Sequence, residues 1–385
     1  MSTVRVDVAP ELLQWAVDRA GWDEHTAVQR VPHLDDWIAG ERKPTLKQLE
    51  KFAQATHAPF GHLFLAEPPV EEIPIPDTRT LGNTRIAKPS ADLLDMIYLC
   101  ESRQDWYRAY ARETGLPEVT IVGSAAVSDD PAAVAARLRE LLDFNLETRR
   151  SANGWQGALR LLIDRVEELG ILVMVNGVVG ANSHRKLKPA EFRGFAMSDP
   201  IAPLIFINGA DTKAAQIFTL AHELAHLCLG ESALSDASMK TATGPDDEIW
   251  CNKVAAEFLL PLDDFRQRFG GGLDVENLQR LAARYRVSTL VVLKRAFDAK
   301  LVGWDEFRAR YDDELARLTA ILDQQRAEST GGNYYNTQRL RLSQRFARAV
   351  VSSTAEGSTT YRDAYELLGT RKHATFETLA HELGA

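Results

Sequence analysis

Over residues 11–65 apolar positions recur at helical intervals in short runs, with Leu12, Trp15, Ala16, Trp37, Leu46, Leu49, Phe52 and Ala53 marking the inward faces. Gly21, Pro32, Gly40 and Pro44 break these runs, which predicts five short helices around one small core within residues 1–67. Pro68, Pro69, Pro74, Pro76 and Pro89 then block helix and favour extended backbone, so residues 68–90 read as a linker. Helical periodicity returns over about 91–115, 130–143 and 154–170. It gives way to short β-branched and aromatic runs at 171–177, 192–199 and 202–209, each closed by turn residues, and these predict a small antiparallel sheet. Asp211 is placed to cap a helix that stops at Gly230, and a second helix follows Pro245 and ends before Pro261. Beyond Leu262 the pattern is helical, interrupted only by glycine-rich breaks. The fold class is α+β, predominantly helical, with a unit at 91–300 whose informative part is 154–261, and a helical region at 301–385.

Composition narrows the class without naming a function. The chain has 385 residues, 45% hydrophobic, with 45 Lys and Arg against 54 Asp and Glu for a formal charge of −9. This is ordinary globular composition with enough length for two or three domains, which excludes a disulfide miniprotein or a disordered acidic tail. The first residues carry no basic stretch leading into an apolar one, and no 18-residue window is uniformly apolar, so neither export nor a membrane span is expected. Cys100, Cys228 and Cys251 form no C-x-x-C pair and are odd in number, which suits a reducing compartment and predicts a cytoplasmic protein.

The chemistry concentrates in the helix before Gly230. His222, Glu223, Leu224, Ala225 and His226 spell H-E-x-x-H. Four residues turn a helix through about 400°, so both imidazoles leave one face and can share a zinc ion, with Glu223 beside them as a base for a metal-bound water. A catalytic zinc takes three protein ligands and keeps one position open. Glu248, in the first turn of the next helix and 22 residues after His226, is the expected third ligand. Asn252 stands one turn further along the same face, where its amide oxygen is expected to accept the free ring N–H of a ligating histidine. Glu257 lies half a turn away and should face elsewhere, while Cys228 and Cys251 read as buried small hydrophobes.

FTLAHELAHLCLG followed by EIWCNKVAAEFLLP resembles the ImmA/IrrE family of zinc metallopeptidases, and the match extends upstream through Phe192–Phe195 and Pro203–Asn208. The resemblance implies a small gluzincin-like metallopeptidase core holding one zinc per chain. By the same resemblance His222, His226 and Glu248 are the ligands and Glu223 the catalytic base. The family usually carries an acid two positions before the Asn, and here that position is Trp250. Members with an N-terminal repressor-like domain are implied to cleave a protein regulator, a repressor or antitoxin, in stress response, mobile-element control or toxin–antitoxin settings. A peptide substrate would lie along an exposed edge strand, for which Arg193, Phe195, Ile205 and Ile207 are the candidates. The Pro-rich linker is a candidate to occupy that edge in cis.

The N-terminal unit is similar to a Cro/repressor-type helix-turn-helix. Residues 1–70 nevertheless hold seven basic and ten acidic side chains, a balance that repels phosphate, so a protein-interaction role is favoured over DNA binding. In the C-terminal region Arg339, Arg341, Arg345 and Arg348 could dock RNA or an acidic partner such as a toxin, although a solvated helix face is the favoured reading. The expected function is an intracellular zinc endopeptidase acting on a protein regulator. The alternatives are a DNA-binding regulator whose peptidase fold serves as a sensor, and an antitoxin-like protein that sequesters a toxin.

Overall fold

The computed structural model describes residues 4–77, 80–81, 84–85, 89–235, 246–270, 272–328 and 341–384. They fall into two compact units, Met1–Pro74 with Ile86–Tyr98, and Ile75–Arg85 with Leu99–Ala385. No described helix is long and apolar enough to cross a membrane.

The first unit contains α1 (Pro10–Arg19), α2 (Glu24–Arg30), α3 (Leu34–Ile38) and α4 (Leu46–Thr56). Local chemistry sets their ends. The Asp23 carboxylate accepts the Thr26 N–H at 2.7 Å to start α2, and Thr45 and Gln48 exchange side-chain and backbone hydrogen bonds in a capping box that starts α4. The fifth expected helix is instead a 3₁₀ turn at Phe60–Phe64, a segment of five residues behind Pro59 and too short to settle into α geometry. Leu13, Ala16, Trp37, Leu49, Phe52 and Leu63 close the core, with Trp37 edge-on to Phe52 at 6.2 Å. Leu46 departs from expectation and is exposed, because it opens α4 before the helix turns inward. The buried Arg19 is paired with Glu71 at 2.8 Å and Asp95 at 2.5 Å, and donates to the His57 carbonyl at 2.6 Å.

The second unit holds a four-stranded sheet built from β3 (Leu172–Asn176), β6 (Gly194–Met197), β7 (Leu204–Asn208) and β8 (Ala233–Ser235), in the order β3-β7-β6-β8. Two short hairpins accompany it, β1 (Thr80–Leu81) with β2 (Thr84–Arg85), and β4 (Val178–Val179) with β5 (Asn182–Lys186). The sheet is mixed, which corrects the antiparallel expectation. β3 runs parallel to β7, whereas β6 is antiparallel to both β7 and β8. All five residues of β3 are buried, as a strand covered on both faces demands, and its unbroken apolar run is the pattern of parallel pairing rather than of alternation.

Helices cover the sheet and extend the core. α5 (Ala91–Glu113) adds its later turns to this unit. α6 (Pro131–Leu141), α7 (Leu146–Ser151) and α8 (Gly154–Glu168) precede the sheet; α9 (Lys213–Leu229) and α10 (Asp246–Leu259) follow its main strands. Ile163, Val166, Val173, Ile205, Ile207, Ile217, Leu220, Leu224, Val254 and Phe258 belong to one continuous apolar core. α11 (Leu262–Arg268), α12 (Val275–Tyr285), α13 (Thr289–Asp298) and α14 (Trp304–Glu328) come next, then α15 (Gln344–Ala355), α16 (Tyr361–Leu368) and α17 (His373–Leu383). Arg345 donates to the Tyr107 hydroxyl at 2.7 Å and Arg348 to the Leu383 carbonyl at 3.4 Å, so two of the C-terminal arginines serve packing within the unit. Arg339 lies outside the described residues.

Candidate metal centre

α9 is started by Thr212, whose hydroxyl accepts the Ala215 N–H at 3.2 Å, and stopped by Gly230, whose φ of 77° lies in the left-handed region that favours glycine. Between these ends apolar residues predominate and Gln216 to Cys228 are all buried, which carries His222, Glu223 and His226 into the core at zero exposure. α10 packs beside it. Its register is set by Trp250, buried, with its indole N–H donating to the Asp129 carbonyl at 2.8 Å.

This packing brings Glu248 over the two imidazoles. His222 Nε2 lies 3.1 Å from His226 Nε2, Glu248 Oε2 lies 3.3 Å from His222 Nε2, and Glu248 Oε1 lies 3.2 Å from His226 Nε2. A tetrahedral zinc with bonds of about 2.0–2.2 Å separates neighbouring donors by about 3.3–3.6 Å, so the triangle, at the short end of that spacing, needs to open by only a few tenths of an ångström to take one ion. Two imidazole ring nitrogens and a carboxylate are also the right donor set. Among the described residues these three form the cluster able to hold a metal. Burial works against ionisation of Glu248, but the hydrogen bonds and charges of His222 and His226 overcome it and hold the carboxyl well below its ordinary range. A carboxylate is therefore ready for a cation.

The neighbouring residues sort differently. Glu257 faces away as expected: it pairs with Arg295, and its carbonyl accepts Arg139 at 2.6 Å. Asn252 shares the Glu248 face, yet its Oδ1 and the Nδ1 atoms of His222 and His226 are all buried without a hydrogen-bond partner. The structure therefore has no hydrogen bond from either ring Nδ1 to the Asn252 amide oxygen. Cys228 and Cys251 are fully buried, and burial pushes the Cys228 thiol up to about 12 and the Cys251 thiol well above its usual range. Cys100, equally buried, is also pushed up to about 12 by burial. None of the three is part of the donor cluster.

The four substrate-edge candidates are not on an edge. β6 is paired on one side with β7 and on the other with β8, and β7 lies between β3 and β6. Phe195, Ile205 and Ile207 are fully buried, and Phe195 stacks on Phe206 with ring centres 4.9 Å apart. Arg193 faces Asp211 at 3.7 Å. The reason is β8, a three-residue strand inside a stretch that reads as loop, which covers the side of β6 that would otherwise be open.

Gly194 is the neighbour that motif reading passed over. A Cβ there would sit 2.5 Å from Thr219 Cγ2, 2.8 Å from the Phe206 carbonyl oxygen and 3.1 Å from Glu223 Oε1. Only glycine lets β6 cross α9 this closely, and the crossing point is the acid of the H-E-x-x-H motif. A glycine inside a strand pattern, in FRGFA, was the available signal.

Residues 166–297 match the family model of the IrrE N-terminal-like domain, peptidase family M78. The IrrE-like segment holds the four-stranded sheet, α9 and α10, and hence all three donors and Glu223. Residues 342–382, comprising α15 to α17, match a domain of unknown function, DUF8813. No curated protein matches the chain. The donor cluster therefore lies within a segment similar to a peptidase family.

Proposed function

We propose that the chain is a zinc-dependent endopeptidase that cleaves a protein regulator. The observation that carries the reading is the triangle of His222, His226 and Glu248, sized for one tetrahedral ion. His222 and His226 would hold zinc through Nε2 and Glu248 through a carboxylate oxygen. A zinc ion so held lowers the pKa of water and polarises a peptide carbonyl. Glu223, buried one residue along the helix, takes the proton of the attacking water and returns it to the leaving amine. Gly194 keeps the strand backbone from crowding that carboxylate, and the apolar residues of α9 and β6 keep bulk water from its buried side.

The seven basic and ten acidic side chains of residues 1–70 support a protein-interaction role for the N-terminal unit, one that recruits the regulator or relays a signal. Metal analysis of the wild type beside His226→Ala and Glu248→Ala tests the site. One zinc per chain, lost in both variants, is the expected outcome, and retention in either would remove the peptidase reading.

A further inference from the structure

With β8 in place, the open side of the sheet moves outward by one strand, and that side is already occupied. The Leu234 N–H donates to the Pro76 carbonyl at 2.9 Å, and Asp77 pairs with Leu234 in a parallel bridge. Ile75, two residues before, is buried although it follows a run of prolines. The segment thus docks by one apolar anchor and main-chain pairing, as a polypeptide strand adds to a sheet edge.

Its position relative to the chemistry follows from the strand register. Leu234 is opposite Phe195, and the next row pairs Ser235 with Gly194, the residue that touches Glu223. Asp77 therefore stands one row from the Glu223 crossing and two strand spacings from β6, about 10 Å. The occupant is also a poor strand. Pro76 accepts from β8 but has no N–H to return a bond, and Pro74 repeats the defect two residues earlier. A chain with an ordinary residue in place of Pro76 makes a fuller ladder on the same edge.

We infer that the outer edge of β8 is the docking strand for an extended polypeptide running parallel to it, and that residues 74–77 fill it in cis as a displaceable substitute. This rests on the peptidase reading, since it names where the scissile polypeptide lies and what must leave first. The prolines make the cis occupant weak enough to yield, while tethering keeps it at high local concentration.

The test uses a fluorescein-labelled peptide of residues 70–77 and two full-length chains, wild type and the variant Pro74→Gly, Ile75→Ser, Pro76→Gly, Asp77→Ser. By anisotropy the variant should bind the peptide at least ~10-fold more tightly than wild type, whose edge is filled at the millimolar effective concentration of a short tether. A peptide carrying Pro76→Ala should bind tighter still. Equal binding to both chains, no binding to the variant, or equal binding of a shuffled peptide overturns the inference. Hydrogen exchange at the Leu234 amide gives a second readout in the intact chain: Pro76→Ala should slow it, and unchanged or faster exchange counts against the docking strand. Zinc content of the same samples separates the two readings. Peptide binding without zinc removes the peptidase assignment alone, and zinc without peptide binding removes the docking strand alone.

Discussion

Trp250 donates its indole N–H to the Asp129 carbonyl at 2.8 Å, which ties the first turns of α10 to the loop that enters α6. Glu248 sits two residues before this tie, so the carboxylate inherits its position from a tryptophan. Trp250→Phe keeps most of the buried area and loses the hydrogen bond, for a cost of about 1 kcal/mol, whereas Trp250→Ala leaves a cavity and costs about 3–5 kcal/mol. Urea unfolding measures both, and weaker zinc affinity in Trp250→Phe, with little loss of stability, shows that the tie positions the ligand.

Glu223→Gln separates metal binding from turnover. The substitution keeps shape and removes the base, so it should retain zinc and a wild-type melting temperature while losing peptide hydrolysis. Loss of zinc from this variant would show that Glu223 is a ligand rather than a base.

Metal removal should weaken the fold. A zinc ion present at 100 times its dissociation constant stabilises the native state by about 2.7 kcal/mol. Calorimetry with and without a chelator should show that shift in the wild type and none in Glu248→Ala. A shift of equal size in the variant would place the ion elsewhere.

Gly194→Ala should distort the site from the side of the sheet. Its Cβ meets the Phe206 carbonyl at 2.8 Å and Thr219 Cγ2 at 2.5 Å, neither of which is the end of a flexible chain. Overpacking of this kind costs about 1–3 kcal/mol. A melting temperature equal to wild type would mean that β6 and α9 are less closely held than the structure shows.

Glu167 supplies a pH dependence distant in sequence from the donor cluster. Burial pushes its carboxyl up to about 7, against the opposing hydrogen bond from Ser343. The folded chain then binds this proton more tightly than the unfolded one. Stability from the group is complete below the ordinary glutamate range and falls as pH rises towards 7, by on the order of 3 kcal/mol. Urea midpoints between pH 4.5 and 7.5 should fall in the wild type, and the fall should be smaller in Glu167→Gln. Parallel curves would put the titration elsewhere.

The donor cluster was legible because its spacing is local. His222 and His226 are one turn apart, and the alternation of apolar and polar positions already separates Glu248 from Glu257 around α10. Sheet topology was not legible, because pairing is non-local: β8 contributes only three residues, and nothing in Ala233–Ser235 by itself names β6 as its partner. That one omission made β6 and β7 read as the open edge, which β8 in fact flanks. The parallel pairing of β3 was within reach, since the apolar run Leu172–Val175 leaves no alternating polar face for water. The Asn252 contact failed for a finer reason, since sharing a helix face fixes direction to within tens of degrees but not the final ångström a hydrogen bond needs.

The depth of Cys100, Cys228 and Cys251 has a practical side. At neutral pH thiols this buried are almost entirely protonated and shielded, so alkylating reagents pass them by. A single cysteine introduced at Val70, which is 85% exposed just ahead of the docked segment, would be the reactive handle on an otherwise silent background. A fluorophore attached there turns the departure of residues 74–77 from β8 into an optical signal, readable in the native chain without deleting any of its own sulfur.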